Sequence, residues 1–257
     1  MLASLKFSRI VFIAAVAAAV PYLASYALWF SAGATLNISI RAALQLAAER
    51  PGLWGIGFLL QALACLLWAL VPFAVGQRFR SNAAGLSQLT IIVGGFGFAW
   101  RALADFARAG SMEFLGQLYA STDPATRILV EHMATWAQIW VFGGVWELVS
   151  NGLAFGGLAF LVGLLLVASR RRHLGWAVAF IGGIVSLSLI GTAIYFIAGI
   201  RTALNVILMP GLVALSTAPL WLAWFAWLAD QPTLPFEPHP STTRRGEAPR
   251  PSTQDAS

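Results

Sequence analysis

The chain reads as all-α: a polytopic integral membrane protein, a bundle of six transmembrane helices followed by a disordered C-terminal tail. Apolar runs recur at residues 8–30, 53–76, 86–106, 145–168, 176–200 and 206–228, each close to the roughly 20 residues that cross a hydrocarbon core of about 30 Å. Charged residues make up only 10% of the chain against 59% hydrophobic ones, where a soluble domain carries about 25% charge. So little charge cannot cover a surface in water, so lipid must be the solvent for most of the chain. Eleven Trp and 24 Gly fit that class, because Trp anchors helices at interfaces and Gly lets helices approach closely.

The first run opens beside Lys6 and Arg9, and Pro21 near its middle predicts a kink. Ser25-Tyr-Ala27 resembles a small-x-small cleavage site. Because the apolar run continues through Leu28-Trp-Phe30, an uncleaved helix is the reading adopted, and cleavage after Ala27 would leave the other five helices oriented alike. Pro51-Gly52 and Trp54 open the second run. The stretch from 134 to 169 is too long for one straight span. Asp123 as N-cap with Pro124 in the first helical position predicts a separate helix there, interfacial or protruding, that leads into the span at 145–168.

Two domains follow: residues 1–229 hold the six spans and residues 230–257 form a Pro-rich tail that cannot bury a core. Orientation follows from Lys and Arg in the short connections. With the N-terminus inside, Lys6, Arg9, Arg78, Arg80, Arg170, Arg171, Arg172, Arg244, Arg245 and Arg250 are cytoplasmic; Arg41, Arg50, Arg108, Arg127 and Arg201 lie outside, with Arg101 embedded. That imbalance predicts a membrane protein with both termini in the cytoplasm. Labelling of cysteines placed at Ser81 and Thr122 should report opposite sides.

The third run carries charge where lipid is expected. Arg101 and Asp105 stand one helical turn apart, with Arg108 on the same stripe; insertion scales put an embedded charge at roughly 2.5–3.5 kcal/mol. Counted from the cytoplasmic end of its helix, Arg101 falls about 22 Å along, in the outer third, with Asp105, Arg108 and Glu147 nearer the outer boundary. Trp136, Trp140, Gly143, Glu147 and Asn151 recur at helical spacing, as do Ser188, Thr192, Tyr195 and Gly199, ending near Arg201 and Asn205. Tyr22, Ser25, Tyr26 and Trp29 make a further face. The candidate polar cluster is therefore Arg101, Asp105, Arg108, Glu147, Asn151, Tyr195 and Arg201. It has two readings: a cavity in the outer half of the bundle, or an Arg101–Asp105 pair with Glu147 matched by Arg201 or Arg108 to fix helix register. Gln61 and Thr90 read as interhelical hydrogen-bond glue, and Gly152-Leu-Ala-Phe-Gly156 as a small-xxx-small packing motif, within the chain or between copies.

Several chemistries find no residues to carry them. His132, His173 and His239 fall outside the spans, and Cys65 is the only cysteine, so neither a disulfide nor an embedded haem or metal set is expected. The only lysine is Lys6, which excludes an embedded Schiff base. Nucleophile elbows, His-Glu-x-x-His and phosphate loops are absent from the sequence. The basic residues are dispersed, without the patch nucleic acid requires. No cofactor is expected; the partners expected are membrane lipids and a small-molecule ligand or a protein in the membrane.

In the order of its features the chain resembles a bacterial family of six-pass membrane proteins whose shared domain has no assigned function. The likeness is carried by Leu46-Ala-Ala-Glu-Arg-Pro-Gly-Leu-Trp-Gly-Ile-Gly-Phe58, the Arg78-Phe-Arg-Ser-Asn-Ala-Ala84 turn, the embedded Trp100-Arg101 and the basic turn after a long fourth helix. It implies the six-helix architecture and brings no activity and no site residues. The leading functional expectation is a small-molecule or ion transporter or sensor using a polar cavity in the outer half. A non-catalytic structural or assembly subunit is the alternative, and an intramembrane enzyme a more distant one, since acid–base work would rest on Glu147 and Asp105 without a nearby histidine.

Overall fold

A computed structural model describes residues 6–33, 39–121, 123–137, 145–198 and 204–231. The tail from residue 232 onward, Gly199, Arg201, Thr122, Trp140 and Gly143 lie outside the described residues. Every regular element among the described residues is helical: α1 (Phe7–Ala17), α2 (Ala19–Ser31), α3 (Ile40–Glu49), α4 (Leu53–Trp68), α5 (Leu70–Phe79), α6 (Ala84–Ser121), α7 (Pro124–Ala137), α8 (Val145–Asn151), a π-helical segment (Gly152–Gly157), α9 (Leu158–Ala168), α10 (Arg172–Ile197), α11 (Leu204–Ser216) and α12 (Ala218–Asp230). Five stretches are long and apolar enough to cross a membrane: Phe7–Ser31, Leu53–Phe79, Ala84–Ser121, Val145–Ala168 and Arg172–Tyr195. The last predicted span is not straight. Ile207–Ser216 and Ala218–Asp230 pass the same test only as a pair, bent by 62°, so the described residues hold five such helices, or six if the bent pair is one span. Pro219 explains the bend, because its ring and missing N–H prevent α11 from continuing through Thr217.

The same chemistry marks two other breaks. α1 gives way to α2 at Ala18, three residues before Pro21, and α4 to α5 at Ala69, three residues before Pro72. In each case the proline offers no N–H to the carbonyl four residues back and crowds it. Only the first kink was read from the sequence.

α6 has 38 residues, about 57 Å at 1.5 Å per residue, and runs well past the predicted end at residue 106. Its exposed stripe stays apolar through Leu89, Ile92, Phe96, Leu103, Phe106 and Phe114. Two helices pack on its far end. Ala43 and Ala47 of α3 join Trp54, Phe58 and Ala109, while Leu44 meets Leu115, Tyr119, Val130 and Ala134, the last two from α7. α3 is an amphipathic helix that the sequence reading left out. Both helices carry side-chain caps: Ser39 Oγ accepts from the Ala42 N–H at 3.2 Å, and Asp123 Oδ1 accepts from Ala125 and Thr126 at 2.9 and 3.2 Å. Bonds from the Thr126 hydroxyl and these backbone groups hold the Asp123 carboxyl below the usual carboxylate range. Arg41 grips Glu131 with Nε and Nη2 at 2.9 and 3.1 Å, and the Tyr119 hydroxyl donates to the same carboxylate at 3.0 Å. The Arg41 hydrogen bond leads the causes that keep Glu131 below its ordinary range.

Glu113 of α6 caps the start of α4 from across the bundle. Its Oε2 accepts from the Gly52 N–H at 2.9 Å and its Oε1 from Gly55 at 3.0 Å, which satisfies two of the donors a helix start leaves open. Gly52 has φ of 90°, a left-handed conformation that favours glycine. Glu113→Ala is expected to cost about 1 kcal/mol, the usual loss of an N-cap, measured by reversible unfolding in detergent. Faster hydrogen exchange at the Gly52 and Gly55 amides should accompany it; unchanged exchange there would show that the cap does not hold the helix start.

The closest helix contact joins the fourth span to α10. A Cβ on Gly156 would fall within 2.6 Å of the Ser186 Cα, and one on Gly163 within 2.6 Å of the Ala179 Cα. The Gly152/Gly156 motif therefore packs inside the chain, against Ile190 and Ser186. Serines of α10 brace both neighbouring irregularities. Ser186 Oγ donates to the Gly152 carbonyl at the start of the π-helical segment, at 3.0 Å. Ser188 Oγ donates to the Ile207 carbonyl and accepts from the Gly211 N–H at 3.1 Å, on either side of Pro210. The main core gathers on Trp68, Phe98, Phe155 and Phe225, with Trp68 Nε1 donating to the Ala15 carbonyl at 3.1 Å.

Candidate functional site

Helical spacing brings Arg101, Asp105 and Arg108 onto the inward face of α6, and α8 presents Glu147 to them. Arg101 Nε stands 3.0 Å from Asp105 Oδ2, while Arg101 Nη1 is ion-paired with Glu147 Oε1. Arg108 Nη2 pairs with Glu147 Oε2, and its Nη1 lies 3.5 Å from Asp105 Oδ1. Each guanidinium thus meets both carboxylates, and the four groups close into a ring with no net formal charge. Asp105 is fully buried, and Glu147 is the most open member, its side chain 20% exposed. The ring recruits a third helix through Gln61 of α4, whose Oε1 accepts from Arg101 Nη2 at 2.8 Å. Phe58, also on α4, lies under the Arg108 guanidinium at 5.1 Å, a cation–π contact that gains strength where water is excluded.

Burying four charges is tolerable only because each finds its opposite with good geometry; removal of one partner strands another. Asp105 shows this most clearly, since full burial denies it water. The planar guanidinium forks let each arginine reach two carboxylates, which an ammonium group would not reproduce.

An aromatic wall adjoins the ring. Tyr22 and Tyr26 stack edge-on at 5.2 Å, Tyr26 and Trp29 at 5.7 Å, and Trp29 and Phe58 at 5.0 Å. Tyr26 is within the electrostatic reach of Arg101 and Glu147. Tyr22 OH donates to the Leu215 carbonyl at 2.9 Å, which ties α2 to α11. Apart from Arg101 Nη1 and Asp105 Oδ2, which are held by the ion pairs, three buried polar atoms of this region have no hydrogen-bond partner: Trp29 Nε1, Arg108 Nε and Asn151 Oδ1.

Of the seven residues in the sequence-derived cluster, four form the ring. Asn151 lies one turn along from Glu147 and is 3% exposed. Tyr195 is half-buried near the end of α10 and takes no part in the ring's ionic contacts. Arg201 lies outside the described residues. The helical face read from Trp136 to Asn151 is interrupted, since α7 ends at Ala137 and α8 begins at Val145. The α10 stripe is spent elsewhere: Ser188 serves α11, and Thr192 Oγ1 donates to the Ser188 carbonyl at 2.7 Å. Gln61, read only as glue, is the ring's direct partner. Glu113 and Phe58 were not linked to the ring or to a cap. Glu113 left no sequence signal, because its partners are backbone N–H groups.

Among the described residues no three of His, Cys, Asp and Glu come together as a metal set. No protein-family model matches the chain, and no curated protein or solved structure matches it either.

Proposed function

We propose that this chain is a bacterial inner-membrane protein with both termini in the cytoplasm, a small-molecule or ion transporter or sensor in which the four-charge ring is a latch between α6 and α8. The observation that carries the reading is that a single residue of a short helix, Glu147 of α8, contacts both arginines of α6. Its helix runs directly into the π-helical Gly152–Gly157, a backbone irregularity frequent at functional sites. The bend between α11 and α12 adds a second break, of the kind that transporter helices use near their binding sites.

Depth supports the same reading. Glu113 meets the start of α4, so the outer edge of the bundle falls near Glu113 rather than at residue 106. Arg101 then lies twelve residues below that edge, about 18 Å, and the ring sits nearer mid-membrane than the outer third. Charge at that depth is costly, and it marks function more often than charge at an interface does.

A structural or assembly role is the second reading, and the ring's neutrality favours it: two positive and two negative groups leave no spare charge for an ion. Labelling separates the two. A cysteine at Asn151, in a chain whose Cys65 is alanine, should resist a water-soluble maleimide. Adding Glu147→Gln should raise the labelling rate several-fold while the protein stays folded. Equal labelling with and without Glu147→Gln would make the ring a permanent lock and favour the structural role.

A further inference from the structure

We propose that the arginines of the α5–α6 and α9–α10 turns form a binding site for the phosphate headgroup of an anionic phospholipid. The site rests on the membrane reading of the fold and is independent of the ring.

The two turns form one surface. Asn82 Nδ2 donates to Ser169 Oγ at 3.2 Å, and Ser81 Oγ donates to Asn82 Oδ1 at 3.0 Å. That contact ties the turn that follows Arg78 and Arg80 to the turn that carries Arg170, Arg171 and Arg172. Arg78 is half-buried at the end of α5, and the other four are exposed. No carboxylate comes from the same stretches of chain: the sequence has none between Glu49 and Asp105 and none between Glu147 and Asp230. Asp230, at the end of α12, accepts from Ser8 Oγ at 2.7 Å.

Orientation in the membrane needs positive charge in a connection; it does not need two basic turns tied to each other by side-chain hydrogen bonds. The backbone reinforces the point. Arg170 has φ of 66°, where glycine is the usual residue. Around it the Arg170 N–H bonds the Val167 carbonyl at 3.1 Å and the Arg171 N–H bonds Leu166 at 3.0 Å, the paired bonds of a helix end that turns through the left-handed region. α10 then starts at Arg172, so the positive end of its dipole points into the same cluster. A phosphodiester would answer the positive charge of the exposed turn arginines and take bidentate hydrogen bonds from their guanidinium forks. The source is a lipid rather than aqueous phosphate because exposed apolar side chains follow directly: Leu174, Trp176 and Phe180 of α10 offer a face for acyl chains.

The test is native mass spectrometry of the full chain released from nanodiscs that contain phosphatidylglycerol or only phosphatidylcholine. Phosphatidylglycerol should stay bound through release, and phosphatidylcholine should not. Arg78→Gln and Arg171→Gln should each weaken retention about fivefold, the share of one basic residue near an anionic surface. Arg171→Lys should keep part of it, and Arg50→Gln, in the turn before α4, should change nothing. Arg171 is exposed, so its variants leave the fold intact and the reading does not depend on Arg78. Equal retention of the two lipids, or wild-type retention in Arg171→Gln, would overturn the proposal. Displacement of phosphatidylglycerol by inorganic phosphate would also overturn it, by making this a site for the soluble anion.

Discussion

Arg101→Met should lower the stability of the folded protein by about 3–5 kcal/mol, the cost of breaking a buried ion pair from one side. The side chain serves three groups: Asp105, Glu147 and Gln61. Without it, Arg108 alone faces two carboxylates, and Asp105 keeps only the longer 3.5 Å contact. The pair Arg101→Met with Asp105→Leu should cost less than Arg101→Met alone, since Arg108 and Glu147 remain as a balanced pair. Reversible unfolding in detergent, with folded yield from the membrane fraction, compares the two. If the double variant is the worse folded, charge balance is not what the ring supplies. A folded Arg101→Met protein at wild-type yield would move Arg101 from a structural role to a ligand's.

The second large effect is expected at Gly156. Gly156→Val adds carbon atoms where Ser186 backbone atoms already stand, and backbone cannot rotate aside as a side chain would. The fourth span and α10 must separate, at a cost of about 3 kcal/mol, the upper part of the range for overpacked interfaces. Ser186 Oγ would lose its reach to the Gly152 carbonyl as well. Gly183→Val is the control: it sits on the facing helix, α10, with only the Phe160 ring 3.7 Å from its would-be Cβ, and it should be tolerated. Similar losses at both positions would place the sensitivity in helix propensity rather than in contact.

These two sites differ in how far the sequence revealed them. The spacing of Arg101, Asp105 and Arg108 already put three charges on one helical face, because the period of an α-helix is local information. Glu147 was legible as a partner from its depth near the outer boundary and its place on the face that runs from Trp136 to Asn151. The participation of Gln61 and Phe58 was not legible, because the register between α4 and α6 is set by the packing of Gly55 against Ala109 and Glu113, which no local pattern encodes. Helix boundaries behaved similarly. Asp123 and Pro124 announced α7, and Pro21 announced the first kink. The extension of α6 to Ser121 escaped the reading because its far end is amphipathic rather than uniformly apolar, and it is α3 and α7 that bury it. The bend at Thr217 was missed although Pro219 stood in view: an apolar run of spanning length masked the break.

The central claim is that Arg108 and Glu147 attract each other inside the bundle and hold α8 against α6. A double-mutant cycle measures that attraction directly, from the unfolding free energies of the wild type, Arg108→Met, Glu147→Leu and the combined variant. A latch requires a coupling of at least about 1.5 kcal/mol, as close buried charge pairs give, with the combined variant more stable than the sum of single losses predicts. Additive losses, with no coupling between the two positions, would contradict the account.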